Sequence, residues 1–339
     1  MSKRKIFDVA LRKITMTRLG LYLITPPLYS LSIEPTSSCN LDCVMCYSKK
    51  EKNGFMSWSL FTKIIDEIKS RKDIGIGLNF SGESLLHPKF KDMLEYIASS
   101  GIQNISLNTN GLILTSKIAE TFLNCSKGTM VFSIDGLEET YKKIRIGSNY
   151  EKVIRNIEFL LQRRKEKGIS KPYAAVNLVK SNQSQQEIND YIAYWIDKVD
   201  YVSTVEQLGP DLRIVSKNDV ISKQLQKGRM LCLWPWRYLA VCWDGRITLC
   251  CHDLEGRAIL DVNANEGISK IWGGGEYNNV RWQHFKKDFS SLDLCRSCEA
   301  WVATYIPSKL NRLDNGIFVW RKGLSTYYSK RPESLGIKP

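Results

Sequence analysis

CNLDCVMC, residues 39–46, puts Cys39, Cys43 and Cys46 on one short loop, spaced Cys-x3-Cys-x2-Cys, with no fourth cysteine nearby. The segment before it, LYSLSIEP (28–35), has a strand pattern. Downstream the pattern repeats. SWSLFTKIIDEIKS (57–70) and FKDMLEYIAS (90–99) carry helical apolar stripes, and IGIGLNFSG (74–82) reads as a buried strand between them. Strand patterns recur at 104–111, 129–136, 173–180 and 200–207, with helices at 117–124, 150–164 and 187–199. Such β–α repetition predicts an α/β fold with a parallel sheet. Ligands of these folds bind at the carboxyl ends of the strands, the edge where the cysteine loop is expected.

The 339 residues suffice for one large domain and a small one, and 43% hydrophobic with 25% charged residues is ordinary for a globular chain. No apolar run approaches the ~18 residues that span a bilayer. The basic start, MSKRKIFDVALRKITM, lacks the apolar core of a signal peptide, so a cytoplasmic location is expected. Thiols stay reduced there, so the ten cysteines point to metal rather than disulfides. The net charge of +14 suits an anionic small-molecule substrate. No nucleic-acid motif is present. The basic, apolar-faced ends leave open both a membrane-surface contact and an ordinary packed helix.

From residue 208 the composition changes. The expected organisation is a basic arm (1–27), the α/β body (28–207), a linker (208–231), a cysteine-rich unit (232–300) and an aromatic, basic cap (301–339). VCWDGRITLCC (241–251) reads as a hairpin around a Trp-Asp-Gly turn, and 267–285 as two short helices broken by glycines.

Three thiolates on one loop can hold zinc with a remote fourth ligand, or a [4Fe–4S] cube with one open corner. The strand-end position favours the open corner. Cys232, Cys250, Cys295 and Cys298 form a second set, Cys-x17-Cys-x44-Cys-x2-Cys. Four thiolates can close either a zinc site or a cluster.

The first loop resembles the signature of the radical S-adenosylmethionine (radical SAM) superfamily. SGES (81–84), NTNG (108–111) and SIDG (133–136) resemble that family's later strand-end motifs in order. The resemblance implies a partial (β/α)6 TIM-like barrel and a [4Fe–4S] cluster on Cys39, Cys43 and Cys46. It implies that SAM chelates the open iron and is cleaved reductively to a 5′-deoxyadenosyl radical, which abstracts a substrate hydrogen. It assigns Gly82, Glu83 and Ser84 to the methionine amino group, Met45 and Tyr47 to adenine, Ser133 and Asp135 to ribose hydroxyls, and Arg145 to the carboxylate. Ser81 and Ser84 depart from the family's Gly and Pro, and Met45 stands where an aromatic is common. The second set is similar to a SPASM domain in its shortened, single-cluster twitch form. Its spacing is similar to that of the aminocyclitol dehydrogenase of butirosin biosynthesis. This implies an auxiliary [4Fe–4S] cluster suited to electron transfer.

The expected enzyme is an oxidoreductase that dehydrogenates a sugar, aminocyclitol or similar polar molecule, fed by a flavodoxin- or ferredoxin-type donor. Cys251, beside Cys250, suggests instead an epimerase in which its thiol returns hydrogen. A peptide-modifying enzyme and a non-catalytic zinc scaffold are further alternatives. His252 and Asp253 are acid–base candidates, while Cys125 and Cys242 read as core.

Overall fold

A computed structural model describes residues 26–48, 54–71, 73–306 and 308–336. Residues 1–25 of the expected basic arm lie outside these.

In chain order, β1 (Ser30–Ile33) precedes the cysteine loop, which contains the two-residue β2 (Asp42–Cys43). Then come α1 (Trp58–Ile68), β3 (Gly75–Leu78), α2 (Phe90–Ser99), β4 (Ile105–Thr109), α3 (Ser116–Cys125) and β5 (Thr129–Ser133). The next crossover holds α4 (Glu138–Ile144), β6 (Arg145–Ile146) and α5 (Tyr150–Glu166) before β7 (Tyr173–Lys180), α6 (Gln185–Trp195) and β8 (Tyr201–Glu206). Side-chain caps set several helix starts: Ser57 accepts from the Leu60 amide, Asn149 from Lys152, and Ser184 forms a capping box with Glu187.

β1, β3, β4, β5, β7 and β8 pair in parallel in that spatial order, the six-stranded body expected from the sequence. Alternation divides each strand between two faces. Leu31, Ile33, Ile76, Leu78, Leu107, Phe132, Val176 and Leu178 are at most 1% exposed and join the helical stripes in one core. The other register is mixed: Ser32, Gly77, Ser106, Asn108, Ser133, Asn177 and Ser203 alternate there with Val131, Val179, Tyr201 and Val205. Ser203 Oγ donates to Asn177 Oδ1 at 2.7 Å, which puts both on this inner face. Asn108 is exposed although β4 lies mid-sheet, so the inner face is open.

The cysteine-rich segment joins the same sheet. After α7 (Asp219–Leu225), which interrupts the expected linker, β9 (Tyr238–Val241) pairs in parallel with β1. β10 (Arg246–Thr248) returns antiparallel, and β11 (Ile259–Asn263) closes that edge. α8 (Ile268–Gly273), α9 (Gly275–Lys286) and α10 (Asp293–Ser297) follow. The tail does more than cap the body: β12 (Lys309–Arg312), β13 (Phe318–Lys322) and β14 (Ser325–Ser329) extend the sheet beyond β8. The result is one twelve-stranded sheet. Among the described residues no helix is long and apolar enough to cross a membrane.

Candidate active site

The cysteine loop leaves the carboxyl end of β1 and is fixed from three sides. β2 pairs with β6, setting Cys43 opposite Arg145, and the Val44 amide donates to Ile144 O at 3.0 Å. The Glu83 amide donates to Ser38 O at 2.8 Å. Asn110 Nδ2 donates to Asn40 Oδ1 at 2.9 Å. The 81–84 and 108–111 motifs are therefore stitched directly to the loop.

Gly82 is required by close approach. A Cβ there would stand 2.4 Å from Thr36 O and 2.5 Å from Ser38 O. Glu83 is 3% exposed, not a solvated loop carboxylate. Its Oε1 accepts from Thr109 Oγ1 at 2.8 Å and the Leu85 amide at 3.2 Å, and its Oε2 from the Asn110 amide at 2.7 Å. Burial pushes its pKa up while these donors pull it down. A carboxylate has about four lone-pair sites, so roughly one remains for a cationic ligand.

One expectation needs correction. Ser84 is 1% exposed and its hydroxyl is spent on Leu78 O at 2.9 Å, so it braces the motif rather than facing a ligand. Asp135 is fully buried with both oxygens engaged: Oδ2 takes Arg145 Nε and Nη2, each at 2.7 Å, and Oδ1 takes the Val179 amide at 2.7 Å. It orients Arg145 and, by the count used for Glu83, keeps roughly one lone pair for a ribose hydroxyl. The remaining guanidinium nitrogen, Nη1, lies 3.7 Å from Cys43 Sγ. Ser133 sits half-buried at the end of β5. Met45 and Tyr47 are half-buried on the loop, and Tyr47 Oη accepts from Gln207 Nε2, just past β8, at 3.4 Å.

Sequence reasoning missed Glu34. It is 2% exposed and accepts from the Ser81 amide and hydroxyl and, at 3.0 Å, from the Trp243 amide. It thus ties β1, the 81–84 motif and the β9–β10 turn together. The signal was present: a carboxylate in the inward register at the end of a buried strand.

Cys39 and Cys43 are half-buried and Cys46 is exposed. Burial raises the Cys39 pKa and takes Cys43 to about 11, with neighbouring thiols a lesser cause at both. Among the described residues no three His, Cys, Asp or Glu side chains already share a point at coordinating distance. The donor chemistry nevertheless fits an iron–sulfur centre: three soft, mutually coupled sulfurs on one loop, with an arginine against one of them.

The second set lies toward the other end of the sheet, because Cys250 follows β10, which runs antiparallel to β9 and hence to β1. Cys232, Cys250, Cys295 and Cys298 all line one cavity of ≈ 20 Å³. Burial drives Cys232 well up and Cys295 to about 12; for Cys250 the larger cause is a hydrogen bond with the Cys251 thiol, then burial. Four thiols lining one cavity supply every ligand of a four-cornered centre. Asp253, an acid–base candidate, is largely committed to structure. It is 2% exposed and holds the following turn through Thr248 Oγ1 (2.7 Å) and the Arg257 (2.7 Å) and Ala258 (2.9 Å) amides. His252 is half-buried, its amide 3.4 Å from Cys250 Sγ. Cys242 is buried, as expected of a core thiol, whereas Cys125 is only half-buried. A larger groove of ≈ 410 Å³ between α5 and α6 lies on the outer helical layer, away from both cysteine sets.

The family model of the radical SAM superfamily matches residues 33–171, and that of the SPASM iron–sulfur cluster-binding domain matches 232–299. The chain is 26% identical over 223 residues to a tungsten-containing aldehyde ferredoxin oxidoreductase cofactor-modifying protein of Pyrococcus furiosus, covering 65% of this chain and 56% of that one. It is 28% identical over 174 residues to a GTP 3′,8-cyclase of Clostridium botulinum, covering 48% and 51%. It therefore spans about half the length of these curated relatives. Among solved structures, Streptococcus suis SuiB bound to precursor peptide SuiA superposes with a TM-score of 0.62 at 15% identity, covering 79% of this chain and 70% of that one. BtrN in complex with AdoMet and 2-DOIA superposes with a TM-score of 0.53 at 19% identity, covering 80% and 93%. At these identities the structural likeness speaks for the fold alone.

Proposed function

The chain belongs to the radical SAM superfamily and carries a SPASM iron–sulfur domain, and from that premise we propose that it dehydrogenates a polar, hydroxyl-bearing small molecule such as a sugar or aminocyclitol. The observation that carries this reading is the open inner face of the sheet. Ser106, Asn108, Ser133, Asn177 and Ser203 give it hydrogen-bonding groups beside the apolar Val131, Val179 and Val205, which suits a hydroxyl-bearing carbon skeleton.

Cys39, Cys43 and Cys46 would hold a cluster that with SAM would supply radical hydrogen abstraction, and Cys232, Cys250, Cys295 and Cys298 would hold a centre supplying a sink for one electron. The chain does the rest. Glu83, braced by Thr109 and Asn110, offers its remaining lone pair to the methionine ammonium. Arg145, aimed by Asp135, presents Nη1 to the carboxylate. Met45 and Tyr47 would hold the adenine, and Ser133 with Asp135 the ribose hydroxyls. His252, half-buried beside the second cysteine set, is the base proposed for the alcohol proton, because it is less buried than Asp253. Cys46 is exposed, so a flavodoxin- or ferredoxin-type donor reaches the loop directly.

A second reading, epimerisation, is favoured by one feature. Cys251 adjoins Cys250 and its thiol interacts with that of Cys250, so a hydrogen donor stands beside the second cysteine set. The test is anaerobic turnover with SAM and reductant against two panels, polyols with aminocyclitols and peptides, in deuterated water. Dehydrogenation gives a product two hydrogens lighter with no solvent deuterium at the reacting carbon. Deuterium at that carbon, lost in C251A, establishes epimerisation. Turnover of peptides alone would overturn the small-molecule assignment.

A further inference from the structure

Beside the four cysteines of the second set, two buried nitrogens have nothing to bond. Arg229 Nε and His284 Nδ1 are shielded from solvent and lack a partner, although both residues line the cavity shared by Cys232, Cys250, Cys295 and Cys298. Buried polar atoms without partners are uncommon enough to call for a cause. His284 is 2% exposed, held edge-on between Trp236 at 6.5 Å and Phe289 at 5.1 Å, with Nε2 3.7 Å from Cys295 Sγ. Arg229 lies over Phe289 at 4.4 Å and Trp301 at 5.5 Å, and its Nη1 donates to Cys298 O.

A neutral imidazole carries one proton. On Nε2 it serves the Cys295 sulfur and leaves Nδ1 a bare acceptor; on Nδ1 it strands a buried donor, the costlier arrangement. A cation placed in a low-dielectric wall likewise calls for an anion. Four thiolates outweigh the charge of the core they hold, so a cluster here is that anion, and it becomes more negative on reduction.

We propose that His284 and Arg229 are the tuning pair of the auxiliary cluster: His284 Nε2–H donates to the Cys295 thiolate, and the Arg229 charge faces the reduced centre. Both raise its reduction potential, as hydrogen bonds to sulfur and nearby charge do in iron–sulfur proteins. A raised potential is what an acceptor of substrate electrons needs. The inference rests on the assignment of these four cysteines as ligands.

The test uses the full chain with Cys39→Ala, Cys43→Ala and Cys46→Ala as parent, so that only the auxiliary centre is reconstituted. Iron and sulfide content and an EPR-monitored redox titration are the readouts. Adding His284→Leu is expected to lower the reduced-to-oxidised ratio at the parent's midpoint about tenfold, about 59 mV for a one-electron couple. His284→Gln, which keeps an N–H donor, restores part of the shift. Arg229→Gln lowers the ratio too, and Arg229→Lys recovers it. Full clusters at the parent's midpoint in both H284L and R229Q overturn the proposal. If H284L loses its cluster, R229Q and H284Q decide alone. If the parent itself holds no [4Fe–4S] centre, the ligand assignment fails and the proposal falls with it.

Discussion

Replacing Arg145 with Leu tests how the mouth of the sheet is built. The Arg145 side chain is 11% exposed and that of Asp135 0%, and two guanidinium nitrogens share Asp135 Oδ2 at 2.7 Å. Removing the cation leaves a buried carboxylate held only by the Val179 amide. Breaking a buried pair from one side costs about 3–5 kcal/mol. At roughly 2–4 °C per kcal/mol for a chain somewhat smaller than this one, Tm of the metal-free protein should fall by about 10 °C. Thermal unfolding followed by circular dichroism under reducing conditions measures it. The double variant D135N/R145L keeps an acceptor for Val179 and removes the stranded charge, so it should recover most of the loss. R145L should also raise the Cys43 thiol beyond about 11, because burial then acts without the opposing guanidinium, and slow its alkylation. An R145L protein within about 2 °C of wild type, or a double variant no better than the single, would refute this account of the mouth.

Other expectations follow from the same geometry. Gly82→Ala drives a methyl group into Thr36 O and Ser38 O, so SAM affinity of the reconstituted protein, read by equilibrium dialysis, should drop at least about tenfold. Glu83→Ala strands the Asn110 and Leu85 amides and the Thr109 hydroxyl. It should cost roughly 3 kcal/mol in urea unfolding, and an unchanged midpoint would show those bonds to be dispensable. Burial holds the Cys43 and Cys295 thiols protonated near neutrality, at about 11 and about 12. Binding iron as thiolate must release those protons, so loading should strengthen as pH rises from about 7 to about 9. Proton release in weakly buffered solution measures this, and loading independent of pH would contradict it.

The body of the fold was legible because its strands and helices are locally patterned. The stripe Leu60, Phe61, Ile64, Ile65 and Ile68 buries as its spacing predicts, and the strand expected at 173–180 forms at those residues. What was missed depends on pairing between distant residues. Nothing near Tyr238 announces that β9 joins β1, and nothing in 325–329 announces β8 as its partner. α4 and α7 are seven residues each, too short for a clear apolar stripe. The polar motifs were recognised more easily than their roles were assigned. Glu83, Ser84, Asp135 and Asp253 all read as ligand-facing groups, yet each spends most of its hydrogen-bonding capacity on the backbone or on a neighbouring side chain. Which hydroxyl or carboxylate remains free depends on side-chain bonding, which spacing does not encode.

The central claim is that Cys39, Cys43 and Cys46 hold a cluster with a corner open to SAM, separate from the centre on the second cysteine set. Anaerobic reconstitution with iron and sulfide, followed by a 5′-deoxyadenosine assay with SAM and dithionite, addresses it directly. The wild-type chain should bind iron and sulfide for two cubane centres and form 5′-deoxyadenosine. The C39A/C43A/C46A chain should keep one centre and form none. Zinc alone in the wild-type protein, or undiminished 5′-deoxyadenosine from the triple variant, would contradict the account.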